Sequence, residues 1–167
     1  MKRTSRPLAR WSGKKLLVDT NILLLYIVGS LSPDHIARHK RTDTFTVEDY
    51  RLLDRLLRQF SGIVVTPNIL TEVSNLLGYT DAKTREKLLL LLRAWMPAFD
   101  EHYVRSHEAV ELTEFPRLGL ADASVLACMS QGLTILTDDL HLYLALQRKG
   151  GEVINFNHLR EATWQEE

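Results

Sequence analysis

Short apolar runs of strand length alternate with longer segments of helical periodicity along this sequence. The strand-like runs lie at about residues 16–18, 63–65, 133–136 and 153–156. The helical segments lie at about residues 21–28, 47–60, 67–77, 82–95, 106–114, 121–131 and 140–149. Strands that are separated by helices pair in parallel through crossover connections. The alternation therefore predicts an α/β fold, a three-layer α/β/α sandwich with a central, mostly parallel sheet.

The strand-like runs are apolar except for Thr134 and Asn155, which is typical of a sheet that is covered on both faces. The chain has 167 residues, about the length of one domain. Its apolar fraction of 45% is sufficient for a hydrophobic core. We expect one domain over residues 16–160, preceded by a flexible extension at 1–15 and followed by a short tail at 161–167.

Charge is distributed unevenly, although the formal net charge is zero. Every charged residue of the first fifteen is basic, and a second basic cluster covers residues 38–41. A basic arm can follow the phosphates of a nucleic acid, and a solvated tail is the equally weighted alternative. The single cysteine, Cys128, excludes an internal disulfide and fits a reducing, cytoplasmic compartment. No segment is long and apolar enough to predict a membrane span, so no membrane partner is expected.

One acid interrupts the most apolar part of the chain. Asp19 follows the strand-like run Leu16-Leu17-Val18, and the apolar helical segment beginning at Asn21 comes almost directly after it. A carboxylate between two buried elements is costly unless something compensates its charge. Helix capping alone explains Asp19 poorly.

Three further acids lie at comparable junctions or near helix starts: Glu72, Asp122 and Asp139. Each of them alone could be a helix cap or an ordinary helix residue. In an open parallel sheet, however, ligands bind beyond the carboxyl ends of the strands, where all four acids would meet. Four carboxylates at one place repel each other, and a divalent cation would hold them together. The pattern indicates metal-dependent chemistry.

Four short motifs carry a resemblance to PIN-domain ribonucleases. They are Val18-Asp19-Thr20-Asn21, Thr66-Pro67-Asn68-Ile69-Leu70-Thr71-Glu72, Gly119-Leu120-Ala121-Asp122-Ala123 and Thr137-Asp138-Asp139. Each motif is weak alone, but they occur in the order of that family and span residues 16–141. The chain therefore resembles this family over most of its length.

The resemblance implies a metal-dependent endoribonuclease that cleaves RNA phosphodiester bonds. Asp19, Glu72, Asp122 and Asp139 would be its catalytic and metal-binding acids, with Asp138 as the alternative fourth acid. Asn21, Thr137 and Asp138 would orient these acids through hydrogen bonds. Oxygen ligands without His or Cys favour Mg²⁺ or Mn²⁺ over zinc.

The small single domain further resembles the toxin of a VapBC-type toxin–antitoxin pair. That resemblance implies a cognate antitoxin and a homodimer as partners, besides the RNA substrate. The basic extension and the long segment at 31–45 depart from the compact toxin pattern. A stand-alone RNA-processing or defence nuclease is therefore the alternative role.

Two other functions are open at this point. A haloacid-dehalogenase-like phosphatase also has an aspartate after its first strand, but it requires a second Asp where this chain has Asn21. That function also leaves Glu72 and Asp122 unexplained. A non-catalytic PIN-like module that binds RNA or protein is the other alternative, although such a module is expected to have lost acids that this chain retains.

Overall fold

The computed structural model describes residues 11–164, and within that range the chain forms five strands and eight α-helices. The strands are β1 (Lys15–Val18), β2 (Gly62–Val65), β3 (Asp100–Glu101), β4 (Thr134–Thr137) and β5 (Glu152–Asn155). The helices are α1 (Thr20–Leu31), α2 (Val47–Leu57), α3 (Pro67–Leu76), α4 (Ala82–Trp95), α5 (Ser106–Val110), α6 (Phe115–Ala127), α7 (Leu140–Arg148) and α8 (Phe156–Trp164).

The strands form one parallel sheet in the order β3-β2-β1-β4-β5. The chain builds the sheet outwards from β1 to one edge and then returns to add β4 and β5 on the other side. The direction of winding therefore reverses between β1 and β4, which places a crevice at their carboxyl ends. The predicted α/β/α sandwich with a parallel sheet is confirmed.

The core is built around β1 and α1. Leu16, Leu17 and Val18 of β1 are fully buried, as expected for the central strand of a covered sheet. The α1 helix is apolar almost all round, and it contacts α2, α3 and α4. This central position explains why its apolar residues do not follow an amphipathic pattern.

Several element boundaries differ from the sequence-based expectations. The segment predicted as one helix over 106–114 contains only α5. The helix predicted at 121–131 corresponds to the part of α6 that restarts after a break at Gly119, and α6 ends at Ala127. Neither β3 nor α8 was expected. The α8 helix continues to Trp164 and so crosses residue 161, where we expected a tail to begin.

The predicted basic extension lies mostly outside the described residues, as do residues 165–167. Of its described part, Trp11 stacks on Phe60 with ring centroids 5.4 Å apart, and Lys15 already belongs to β1. Across residues 11–164, no helix combines the length and apolar character needed to cross a bilayer.

The α1 and α2 helices pack closely because Gly29 leaves space for the ring of Tyr50. A Cβ atom at position 29 would overlap that ring. The ring is held by Tyr26, which stacks on it at 6.2 Å, and by Ser30, whose Oγ lies 3.1 Å from the Tyr50 hydroxyl. It therefore has little freedom to move aside.

We predict that Gly29→Ala lowers the free energy of unfolding by about 1–2 kcal/mol. Overpacking costs up to about 3 kcal/mol, and the better helix propensity of alanine returns about 1 kcal/mol. Gly62→Ala is the matched control, because its Cβ would meet only Lys15 Cγ, at 4.0 Å. Urea denaturation measures both variants. Equal stability of Gly29→Ala and the wild type would contradict this packing.

Candidate active site

Acids from two neighbouring strands lie at the crevice between β1 and β4. Asp19 follows β1 directly, and Asp138 and Asp139 follow β4 directly. The backbone N–H of Asp19 donates to the carbonyl of Leu136, at 3.0 Å, so that the pairing of β1 with β4 extends to the acid itself. The sheet thereby fixes the position of Asp19 relative to the end of β4.

Asp19 is buried, with an exposed fraction of 4%, and both of its oxygens accept hydrogen bonds. Thr137 Oγ1 donates to Oδ2 at 2.6 Å, and the N–H of Thr20 donates to Oδ1 at 2.7 Å. Burial raises the pKa of Asp19 to about 6, because these hydrogen bonds offset only part of the desolvation. The negative charges of Asp138 and Asp139 raise it further.

Thr137 connects Asp19 with Asp139. Its hydroxyl, which donates to Asp19, also accepts the backbone N–H of Asp139, at 3.0 Å. Asp139 is the N-cap of α7, and its Oδ1 accepts the N–H of Leu142 at 2.8 Å. Asp139 therefore has a structural role in addition to any chemical one.

Glu72 reaches the same region from α3. Its Oε2 accepts a hydrogen bond from Thr20 Oγ1, at 2.9 Å, which ties α3 to the start of α1. Thr66 caps α3 through the N–H of Ile69, and its hydroxyl lies 3.4 Å from that of Ser124 on α6. These buried contacts align the two helices that carry Glu72 and Asp122.

Asp122 reaches the site through a break inside α6. Gly119 has φ 78° and ψ 177°, a conformation that a residue with a Cβ adopts only with strain. The helix restarts after this break, and Asp122 lies in its first turn. Burial raises the pKa of Asp122 to about 8, with the negative charges of Asp19, Asp139, Glu72 and Asp138 adding to the shift in that order.

The four acids line one small pocket of about 170 Å³. Its complete lining is Asp19, Thr20, Asn21, Arg41, Glu72, Asp122 and Asp139. Asp138 is not part of that lining; its Oδ1 accepts a hydrogen bond from Asn21 Nδ2, at 3.3 Å. Burial raises the pKa of Asp138, and the hydrogen bond from Asn21 lowers it again in part. The geometry favours Asp139 over Asp138 as the fourth acid of the pocket.

The chemistry of this donor set fits a hard divalent cation. Four carboxylates and no sulfur or imidazole line the pocket, and oxygen ligands of this kind suit Mg²⁺ or Mn²⁺. Within residues 11–164, no three His, Cys, Asp or Glu side chains stand close enough to form a ready-made metal site. The acids share a pocket and repel each other, and their oxygens would have to converge further to coordinate one ion.

Arg41, like Thr20, lines this pocket although sequence reasoning did not assign it to the site. It lies on the irregular segment between α1 and α2, beside the buried residues His39 and Thr42. The backbone N–H of Arg41 donates to His39 Nδ1 at 3.2 Å. The guanidinium of Arg41 lies over the ring of Tyr79, 5.8 Å from the ring centroid. No carboxylate of residues 11–164 forms an ion pair with it within 4.0 Å.

A scan against protein-family models gave no match to this chain, and neither did a search of curated proteins. The assignment of function therefore depends on the residues of the site and on their geometry.

We predict that Asp122→Asn stabilises the protein at neutral pH when a chelator is present. With its pKa at about 8, Asp122 in the folded protein binds a proton that the unfolded chain releases near pH 4. Stability therefore falls as the pH rises from about 4 to about 8, and removing the charge should restore about 1–3 kcal/mol near pH 8. Thermal melting over this pH range measures the effect.

Glu86→Gln provides the matched control, because it removes the same charge from an exposed position on α4. It should leave the pH dependence unchanged. A destabilised Asp122→Asn protein, or one whose stability falls with pH as steeply as that of the wild type, would contradict the electrostatic account of the pocket.

Proposed function

We propose that this protein is a divalent-metal-dependent endoribonuclease of the PIN-domain type. The observation that carries the proposal is the shared pocket of Asp19, Glu72, Asp122 and Asp139. These acids come from four separate elements of the chain, and they lie at the crevice where α/β sheets bind their ligands. Maintaining such a pocket costs stability, which supports a functional role for it.

The four acids would hold one or two Mg²⁺ or Mn²⁺ ions. When bound, such ions activate water and stabilise the charge that develops at a phosphodiester during hydrolysis. Thr137 holds the Asp19 carboxylate in one orientation, and Thr20 does the same for Glu72. Both threonines would therefore keep the acids aligned while the negative charge of the substrate enters the pocket.

Arg41 would contact the phosphate in this pocket. Its guanidinium is planar and permanently charged, and it can donate two parallel hydrogen bonds to phosphate oxygens. The ring of Tyr79 supports its side chain, and the anchored backbone of residues 39–42 limits its reach. The positive charge of Arg41 lowers the electrostatic free energy needed to bring a polyanion such as RNA close to four acids.

The pocket supports a nuclease better than a phosphatase of the haloacid-dehalogenase type. Such a phosphatase needs a second Asp at the position of Asn21, and Asn21 instead donates to Asp138. Glu72 and Asp122 line the pocket beside Asp19. The phosphatase reaction has no role for these two acids.

Cleavage of a panel of tRNA, rRNA and single-stranded RNA in Mg²⁺ or Mn²⁺ tests the proposal. The wild type should cleave RNA, and Asp19→Asn should lose at least about a hundredfold in rate, because the ion loses a buried carboxylate ligand. The wild type should also be inactive in a chelator. If it cleaves no RNA in either metal, or if Asp19→Asn retains full activity, the proposal is wrong.

Substitutions at two helix-capping residues distinguish a loss of catalysis from a loss of folding in the same assay. Asp139→Asn and Asp81→Asn each replace a helix-capping Asp by Asn, which caps equally well, but only Asp139 lines the pocket. Asp139→Asn should lose activity, whereas Asp81→Asn and Asp138→Asn should retain most of it. Arg41→Gln should slow cleavage by about tenfold without abolishing it.

A further inference from the structure

A second pocket, of about 550 Å³, adjoins the four acids, and the proposed chemistry does not use it. Glu72 and Asp122 line both pockets, so the two pockets adjoin each other. We call it the Tyr103 pocket; it lies between α3, the segment of residues 103–106 and the break in α6 at residues 118–122. Whatever occupies it lies directly beside the group that is held at the acids.

Tyr103 presents an exposed aromatic ring to this pocket from a fixed backbone. Its exposed fraction is 76%, the largest among the exposed large hydrophobic residues of the described chain. On one side, the N–H of His102 donates to the carbonyl of Val65 at 2.8 Å; on the other, Val104 is buried. The backbone on both sides of Tyr103 is therefore anchored beside the pocket.

Apart from the two acids, the remaining lining of the Tyr103 pocket is uncharged, and it combines apolar residues such as Leu118 and Leu120 with several polar ones. Asn68 and Asn75 contribute amides, and Thr71 and Ser106 contribute hydroxyls. No Lys, Arg or His of residues 11–164 lines it. A phosphate would therefore be repelled here, whereas a neutral planar group could stack on Tyr103 and form hydrogen bonds at its edges. A nucleobase has this chemistry.

Basic residues line a third pocket, which shares Asn75 with the Tyr103 pocket. Its lining includes Arg38 and Lys40, together with Tyr79 and the acid Asp81. Asn75 lies three residues after Glu72 on α3, so that about 4.5 Å of helix axis separates them. The acids, the neutral Tyr103 pocket and the basic residues are therefore close neighbours around α3, within reach of successive phosphates and bases of a single strand.

We propose that the Tyr103 pocket binds the base of a nucleotide adjacent to the scissile phosphate, through stacking on Tyr103. The inference rests on the proposed nuclease function and adds a requirement for the substrate. A base can enter this pocket only when it is unpaired and unstacked, so the subsite would stay empty on duplex RNA.

Fluorescence anisotropy with a short labelled single-stranded RNA tests the subsite. Asp19→Asn serves as the parent protein, so that the RNA stays intact. Adding Tyr103→Ala should weaken binding by about tenfold, as expected for the loss of one stacked base. Tyr103→Phe should retain the affinity, since the ring remains. Leu90→Ala removes a side chain of 47% exposure from α4 and should change nothing.

A series of RNAs, each with an abasic site at a different position, distinguishes stacking on Tyr103 from other effects of the substitution on binding. One abasic position should weaken binding to the parent by about tenfold and leave binding to the Tyr103→Ala protein unchanged. Unchanged affinity of Tyr103→Ala, or an equal loss on duplex RNA, would overturn the subsite. If the Tyr103 subsite is overturned but the wild type cleaves RNA, only the subsite proposal is wrong. If the Asp19→Asn protein binds no RNA and the wild type cleaves none, the proposed nuclease function is wrong as well.

Discussion

Repulsion among four carboxylates is the constraint on which the rest of this structure depends. Parallel pairing of β1 with β4 brings Asp19 and Asp139 to one crevice, and α3 and α6 add Glu72 and Asp122. Burial and mutual charge raise the pKa of Asp122 to about 8, so that this group opposes folding at neutral pH. A small domain retains such a cost where the charges serve a function.

The surrounding contacts hold the acids in place without neutralising them. Thr137 bonds to Asp19 and to the backbone of Asp139, Thr20 bonds to Glu72, and Ser124 joins α6 to Thr66 at the start of α3. These are neutral hydrogen-bond donors, so the net negative charge of the pocket is preserved. A divalent cation, with Arg41 beside it, would compensate that charge and the charge of a substrate phosphate.

Much of the fold could be predicted from the sequence, because β1, β2, β4 and β5 coincide with short, mostly apolar runs that are separated by longer helical segments. The two-residue β3, Asp100–Glu101, has no apolar run, and it is a strand only because it pairs with β2. The start of α8 was missed because Asn155 ends β5 and bonds to the N–H of Asn157 without an intervening loop. The acids were predictable from their places after strands. Arg41 and Tyr103 were not, since both lie on irregular segments whose positions depend on tertiary contacts.

Metal-induced stabilisation tests the central claim most directly. Thermal melting near pH 8 with increasing Mn²⁺ or Mg²⁺, compared with NaCl of equal ionic strength, separates ligation of an ion from simple screening. At a metal concentration of about a hundred times its Kd, the free energy of unfolding of the wild type should rise by about 2.7 kcal/mol, and that of Asp19→Asn should rise far less. A wild type whose melting temperature does not rise in either metal beyond the NaCl control, or an equal rise in Asp19→Asn, would contradict the account that these carboxylates form a metal site.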